Sequence, residues 1–289
     1  MASFNANEST TCFETVRIMT YNIRWANPND GYHIWKNRKH LVASMIQYHK
    51  AEIACLQEVL VHQLHDLLGF LPEYDWIGVG RNDGKEEGEF VPILYNKKKF
   101  TVVEHGHFWL SETPSTPGSK SWDTRCTRMC TWGLFSYKLQ DGQPPANTPK
   151  FYVFNTHMDH VSDAARTEGA KLILANMAQR TQSTVPSILL GDLNCDESSA
   201  AIKLITGTNP SAYTMLNTKY ASLTGHQGPI HTHTGFHFEE KLLIDHIFLH
   251  KGSKSDIQVL THATLPDTWQ NDYQPSDHRP VITDLLVKW

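Results

Sequence analysis

The sequence is most easily bounded by what it lacks. No stretch of its 289 residues reaches the roughly 18 consecutive apolar side chains that a membrane-spanning helix requires. The opening residues Met1 to Thr11 are polar, where an export signal would set a charged head before an apolar run. Cysteine is scarce. Cys12, Cys55, Cys126, Cys130 and Cys195 are odd in number, form no C-x-x-C pair and sit mostly in apolar segments, where free thiols pack as small hydrophobes. These absences lead us to expect a soluble, unexported protein of the reducing cytoplasm. An excess of basic charge is also missing: 26 Lys and Arg face 30 Asp and Glu, for a formal net charge of -4. A duplex-binding protein usually presents a basic face, so long nucleic acid is disfavoured as a partner. A local basic rim stays open, from Arg125 and Arg128 or from Lys97, Lys98 and Lys99, although the lysine run reads first as a solvated turn.

Short-period repeats and low-complexity tails are absent too. The Pro/Gly/Ser-rich stretches Ser111 to Ser121 and Asp141 to Pro149 are short enough to be loops rather than linkers. With 40% hydrophobic residues the chain can fill one substantial core. We expect a polar arm over residues 1–14 and one domain over 15–289. Within that domain strand patterns dominate: Val16 to Ile23, Ile53 to Val59, Asp75 to Val79, Val91 to Tyr95, Thr101 to Leu110, Cys130 to Leu139, Phe151 to His157, Ser187 to Leu193, Leu242 to Leu249, Ile257 to Ala263 and Val281 to Val287. Helical spacing is confined to Trp35 to His49, Leu60 to Leu68, Ala164 to Arg180 and Ser198 to Ile205, with Ser162 and Asp163 as candidate caps of the third. Many strands and few helices predict an α/β protein, a four-layered sandwich in which two mixed β-sheets pack face to face with helices outside.

What is present is a set of polar residues that terminate apolar runs. Asn22 ends Met19-Thr20-Tyr21-Asn22, Glu58 follows Cys55-Leu56-Gln57, and Asp192 and Asn194 lie in Gly191-Asp192-Leu193-Asn194. Near the end of the chain Ile244-Asp245-His246-Ile247 is followed by Ser276-Asp277-His278-Arg279-Pro280. One polar strand end is commonplace, but so many carrying metal or proton-transfer chemistry are not. Phosphate esters resist hydrolysis because water is a weak nucleophile and negative charge builds on the phosphoryl oxygens, so a site needs a cation, a base and an acid. Magnesium takes a few carboxylate and amide oxygens and keeps several waters, which suits sparse, scattered ligands. Seventeen histidines make a lone His weak evidence. His231 and His233, with His226 and His237 near, read either as a zinc group or, with no Cys or fixed helical spacing beside them, as a polar loop.

Taken in order, T-Y-N-I, L-Q-E-V, N-T-H, G-D-L-N, I-D-H-I and S-D-H-R-P resemble the motifs of the endonuclease/exonuclease/phosphatase superfamily, the DNase-I-like proteins, over about residues 16 to 288. The segments Gly88-Glu89-Phe90 and Trp109-Leu110-Ser111-Glu112-Thr113-Pro114 resemble a bacterial-type branch whose substrate the motifs do not imply. The resemblance implies Mg2+ or Mn2+ held by Glu58, aided by Asn22 and Asp277. It implies that Asp192 orients or deprotonates the attacking water and that Asn194 holds the phosphate or nucleophile. His278 would bind a phosphoryl oxygen and stabilise the transition state, with Asp245 fixing its ring and raising its pKa. His157 matches a histidine that contacts the scissile phosphate or acts as acid. Glu89 is its candidate partner, the alternative being a solvated acid.

The expected activity is metal-dependent hydrolysis of P–O bonds by in-line attack of water, on a small phosphorylated metabolite, a nucleotide-like diester or a headgroup. Two alternatives remain: a nuclease acting on DNA or RNA, and a non-catalytic binding protein on the same fold. Asp159 and His160 either line the pocket or cap the next helix, whose Arg166 makes a structural ion pair or reaches the site. The stretches His105 to Trp132, with Trp109, Trp122 and Trp132, and Pro266 to Ser276, with Trp269 and Tyr273, offer rings either to a substrate or to loop anchoring.

Overall fold

Runs that are apolar on both faces, such as Val16 to Ile23, cannot lie at a surface and require covering on each side. In a computed structural model, which describes residues 13–138, 148–181, 185–207, 213–236, 238, 241–252 and 256–288, this is how they are used. The elements run β1 (Phe13–Asn22), α1 (Trp35–Tyr48), β2 (Ile53–Gln57), α2 (Val61–Phe70), β3 (Tyr74–Ile77), β4 (Ile93–Asn96), β5 (Phe100–Trp109), β6 (Met129–Tyr137), β7 (Lys150–His157) and α3 (Asp163–Thr181). They continue with β8 (Ser187–Asp192), α4 (Ala200–Ile205), β9 (Leu216–Asn217), α5 (Thr218–Ala221), β10 (His226–Gln227), β11 (Asp245–His250), β12 (Asp256–Thr264) and β13 (Val281–Lys288).

The strands form a seven-stranded sheet in the order β10-β12-β13-β1-β2-β4-β3 and a six-stranded sheet in the order β5-β6-β7-β8-β11-β9. Val16 and Ile18 of β1, Ile53 of β2, Phe135 of β6, Phe151 of β7 and Ile188 of β8 meet in one buried layer between the sheets. The alternate residues of the same strands face outward under helices. Met19 and Tyr21 pack with Ile46 of α1 and Leu64 and Leu67 of α2, while Phe154 and Leu189 pack with Ile173 and Met177 of α3 and Ile202 of α4. The result is the expected four-layered sandwich. Each fully buried Ile, Leu or Phe contributes about 1.5–3 kcal/mol of transfer free energy to holding it.

This topology sends the predicted polar termini to one end of the sandwich. β1 runs parallel to β2 and β7 parallel to β8, so Asn22, Glu58, His157 and Asp192 all emerge at carboxyl ends of strands. β11 and β13 run antiparallel to these neighbours, so their amino ends, with Asp245 and the Asp277-His278 segment, arrive at the same place. Asp192 lies in register with Asp245 on one side and His157 on the other.

Most predicted elements fall within a few residues of their observed bounds. β1 starts at Phe13, inside the predicted arm, because Phe13 and Glu14 pair with Lys288 and Val287 of β13. β9, β10 and α5 were not legible, since strands of two residues carry no period. The predicted end of β6 at Leu139 and most of the 141–149 loop lie outside the described residues, as does His237. Trp109 and Trp132 prove to be strand residues, 2% and 4% exposed, so the predicted insertion between them shrinks to the connection from Leu110 to Arg128.

Next to the site, the backbone at Gly191 leaves no room for a side chain. Gly191 has φ of 146°, and a Cβ there would lie 1.9 Å from the Thr156 carbonyl oxygen of the adjoining strand. Gly191→Ala should therefore lower stability by about 3 kcal/mol or more, through overpacking plus backbone strain. Urea unfolding of the variant against the parent measures this; a loss under about 1 kcal/mol would refute the steric argument.

Candidate active site

The strand ends meet in a cavity of about 410 Å3 lined by Arg24, Glu58, Arg81, Glu89, Arg128, His157, His160, Asp192, Asn194, His233, Asp277 and His278, among others. Asn22, fully buried behind the cavity wall, joins the two sheets. Its Nδ2 donates to Glu58 Oε1 at 3.1 Å and to Asp192 Oδ2 at 3.0 Å, while its Oδ1 accepts from the Arg24 backbone N–H at 2.9 Å. Glu58 Oε2 also accepts from the Trp25 N–H. Glu58 and Asn194 hold left-handed backbone conformations, with φ of 60° and 51°. Such values are uncommon outside glycine and gather at sites where the surroundings over-determine the chain.

Asp192 Oδ1 accepts from the Asn194 N–H, and the Asn194 amide donates to the Met158 carbonyl, so the turn after β8 is tied to the end of β7. His157 Nε2 lies 3.3 Å from Asp192 Oδ2. The expected Asp245–His278 pair is formed, with His278 Nδ1 2.8 Å from Asp245 Oδ2 and His278 Nε2 3.8 Å from Asp192 Oδ2. The backbone N–H groups of Ile244 and Asp245 both donate to Thr232 Oγ1, which fixes the start of β11. Ser276 Oγ donates to the Asn22 carbonyl, and the buried Arg38 guanidinium donates to the carbonyls of Ile23, Arg24, Trp25 and Pro275. The segment bearing Asp277 is thereby bolted to the one leaving β1.

The two histidines are driven apart electrostatically. Burial, and then the charges of Arg128 and Arg81, hold His157 well below its ordinary range, so it is neutral. Burial acts the same way on His278, but the charge of Asp245 and its hydrogen bond, followed by Asp192 and Asp277, outweigh it and raise the imidazole to about 10. Asp192 is pushed up to about 7 by burial and by the neighbouring Asp245. Burial alone would raise Glu58, but the Trp25 N–H, His278, Asn22 and Arg24 hold it below the usual carboxylate range.

The donor set suits a hard divalent cation. Asp192, Asp245 and His278 bring potential ligand atoms within 4.8 Å of one another. His278 Nδ1 is committed to Asp245, however, and the ring is held protonated, so carboxylate oxygens are the better donors here. Asp245 Oδ1 is buried behind His278 without a hydrogen-bond partner, while Glu58 and Asp277 line the cavity itself. Asn22 spends its amide N–H groups on Glu58 and Asp192 and keeps one lone pair on Oδ1, so in this arrangement it acts chiefly as a strut.

Other predicted residues take different places. Glu89 lines the cavity but pairs with Arg81 at 2.6 Å and not with His157, whose Nδ1 has no hydrogen-bond partner. Burial raises Glu89, opposed by Arg81. Asp159 is a loop-fastening residue: its carboxylate accepts from Thr124 Oγ1 and from the N–H groups of Arg125, Val161 and Ser162. Ser162 caps α3 through the Ala165 N–H, and Arg166 binds the Asp159 carbonyl and Asp163 away from the cavity. His160 lines the cavity and pairs with Arg128 Nη2 at 3.0 Å. His233 also lines it, its ring 4.5 Å from that of His278, whereas no metal group forms around His231 and His233 among the described residues. Trp109 donates to the Arg81 carbonyl and Trp132 lies under Arg180, so both anchor structure. Trp269 and Tyr273 instead line a second cavity of about 770 Å3, where His33 stacks between Phe236 and Tyr273. Sequence reasoning missed Arg24 and Arg81 altogether; each follows or precedes a strand like an ordinary loop charge.

The family profile described as "Endonuclease/Exonuclease/phosphatase family" matches residues 19–278, and the chain belongs to that family. A family member from Bacteroides thetaiotaomicron is 34% identical, superposes with a TM-score of 0.85 and covers 95% of this chain and 98% of its own. A mannosyl-6-phosphatase from the same organism is 35% identical, with a TM-score of 0.82 and coverage of 93% and 99%. Among curated sequences, protein R895 of Acanthamoeba polyphaga mimivirus is 23% identical over 99% of this chain, which spans 46% of that relative's length.

The proton balance of this site makes a stability prediction. Asp192 and His278 both have folded pKa values above their unfolded ones, from 3.8 to about 7 and from 6.5 to about 10. Each binds its proton more tightly when folded, so each contribution is complete below the unfolded value and is lost as pH rises through the folded one. With chelator present, the melting temperature should fall as pH rises across both windows. Asp245→Asn should abolish the upper limb, and an NMR titration should then find His278 below 6.5. A His278 pKa left near 10 in that variant would contradict the assignment of Asp245 as its cause.

Proposed function

We propose that the protein is a divalent-metal-dependent phosphoesterase that hydrolyses a small phosphorylated substrate by in-line attack of water. The observation that carries this reading is the two-sided cavity, with carboxylates Glu58, Asp192 and Asp277 beside the guanidinium groups of Arg81 and Arg128 and the protonated His278. A cavity of this make-up suits a cation and a phosphoryl group together. Similarity to a mannosyl-6-phosphatase at 35% identity supports a compact ester in preference to a polymer.

Glu58 and Asp277, with the Asn22 amide oxygen in support, would hold Mg2+ or Mn2+. Such an ion supplies charge neutralisation at the phosphoryl oxygens and activation of water. Asp192, raised towards neutrality, accepts a proton from the attacking water, and Asn194 steadies the nucleophile or phosphate. His278 donates through Nε2 to a phosphoryl oxygen and gains strength as charge builds in the transition state. Neutral His157 sits beside Asp192 and the arginines, placed to contact the phosphate. In the balanced reaction the water oxygen bonds to phosphorus, the ester P–O bond breaks, and a proton passes to the departing alkoxide, leaving an alcohol and phosphate.

Asp192→Asn and His278→Ala should each lower kcat about 10²–10⁴-fold with the fold intact. Glu58→Gln should raise the metal concentration needed for half-maximal rate. A panel of phosphomonoesters, phosphodiesters, DNA and RNA, assayed with magnesium, manganese and chelator, checks this; full activity of Asp192→Asn at saturating metal would sink the mechanism. The nuclease reading is separated by salt. Cleavage that falls steeply between about 50 and 200 mM salt marks a polyanionic strand, and indifference marks a small ester.

A further inference from the structure

Three arginines line the cavity, and two of them are already neutralised. Arg24 forms a two-pronged pair with Asp30 and stands 3.6 Å from Asp277. Arg81 pairs with Glu89. Arg128 differs. It is 5% exposed, and its Nη2 meets His160 Nδ1, but neither Nε nor Nη1 has a hydrogen-bond partner. The nearest carboxylate oxygen, Asp159 Oδ1, is 3.8 Å from Nε and is occupied by the Thr124 hydroxyl and the Arg125 N–H. A buried guanidinium with unmet donors is costly to maintain, and the cost falls when an anion meets them. Arg128 lines the cavity on its His157 side, where a small recess is shared by Arg81, Glu89 and His157.

Resting on the phosphoesterase reading above, we propose that Arg128 selects phosphomonoesters over phosphodiesters, its guanidinium taking the third non-bridging oxygen of a monoester dianion. A monoester presents three such oxygens and, above its second pKa of about 6, two charges. His278 engages one oxygen, and a cation held by Glu58 and Asp277 would neutralise a second. In a monoester the third meets Arg128 as a charge-assisted, fork-shaped contact. In a diester that position carries an esterified oxygen and its carbon chain, which leave the buried guanidinium donors unpaired. The selectivity follows from this asymmetry, since a site built around a polar contact rejects the analogue that lacks it more strongly than an apolar site rejects an extra group.

The test compares equilibrium binding of inorganic phosphate and dimethyl phosphate with turnover of p-nitrophenyl phosphate and bis-p-nitrophenyl phosphate. It uses the full chain with metal supplied, as wild type, Arg128→Gln and Arg128→Lys. The wild type should bind phosphate at least about tenfold more tightly than dimethyl phosphate. Arg128→Gln should weaken phosphate about 10–100-fold and dimethyl phosphate much less, with a parallel collapse of the monoester-to-diester ratio in kcat/KM. Arg128→Lys, which keeps the charge without the fork, should retain an intermediate preference, and it decides the matter should Arg128→Gln fail to fold. Equal weakening of both anions in a folded variant, or a wild type indifferent between them, would overturn the proposal. Phosphate preference without turnover of any ester would instead count against the phosphoesterase reading alone, and turnover without discrimination against Arg128 alone.

Discussion

The structure depends on one awkward requirement: carboxylates from two separate sheets must stand together in a water-poor interior. Asp192 and Asp245 face each other in register across β8 and β11, and Glu58 approaches from the other sheet. Like charges so placed repel, and burial denies them the hydration that would screen them. Asn22 answers this by straddling the sheet boundary, giving one N–H to Glu58 and another to Asp192. His278 answers it as a cation wedged between Asp245 and Asp192. Deeper down, Gln57 donates to Asn155 Oδ1 while the Asn155 amide donates to the Leu56 and Pro92 carbonyls, so the two sheets are pinned by hydrogen bonds directly beneath the charged layer. The apolar core between the sheets supplies the free energy that holds these groups together.

The same crowding divides labour between two histidines of the same intrinsic basicity. Burial, with Arg128 and Arg81 near, keeps His157 neutral although Asp192 is 3.3 Å away, whereas Asp245, Asp192 and Asp277 outweigh burial at His278 and keep it charged. Sites that run acid and base chemistry at one pH commonly do so by pushing paired groups apart in this way. Here the separation follows from topology, because His157 ends β7 on the guanidinium side whereas His278 precedes β13 on the carboxylate side.

Much of this was legible in the chain, for a physical reason. Strands buried on both faces leave continuous apolar runs, and a polar residue that ends such a run has little reason to be there unless the end of the strand is a site. Asn22, Glu58, Asp192, Asp245 and His278 were read in that way and His157 from the family resemblance, and the fold carries all of them to one end of the sandwich. The guanidinium side was not legible in the same manner. Arg24 and Arg81 lie in connections where a charge is the ordinary expectation, and nothing in their local sequence signals an inward turn. Arg24 turns because its φ of 58° bends the chain immediately after β1, and Arg81 because the backbone of the 80–89 turn folds back on itself to bring Glu89 beside it. Glu89 illustrates the limit of resemblance: it arrives in the cavity, but on the arginine and not on the histidine.

The arrangement of charge also bears on what kind of anion the cavity suits. Two lysines of the 97–99 run are engaged by acids, Lys98 with Glu73 and Lys99 with Glu52 and Glu14. The arginines that matter to the cavity are inside it, and Arg128 is nearly sealed from solvent. A polymer is gripped by cations spread along a surface, since each phosphate neutralised adds to affinity through released counterions. Cations drawn into one pocket beside carboxylates do the opposite: they concentrate recognition on a single phosphoryl group and leave the rest of the molecule to be read by shape. The aromatic cavity beyond, whose walls share the 233–236 and 273–277 segments with the charged one, offers such a shape without further positive charge from Lys or Arg among its lining residues. Cationic groups gathered inside the cavity and a net charge of -4 are therefore compatible, and their combination supports the proposed compact ester over a strand.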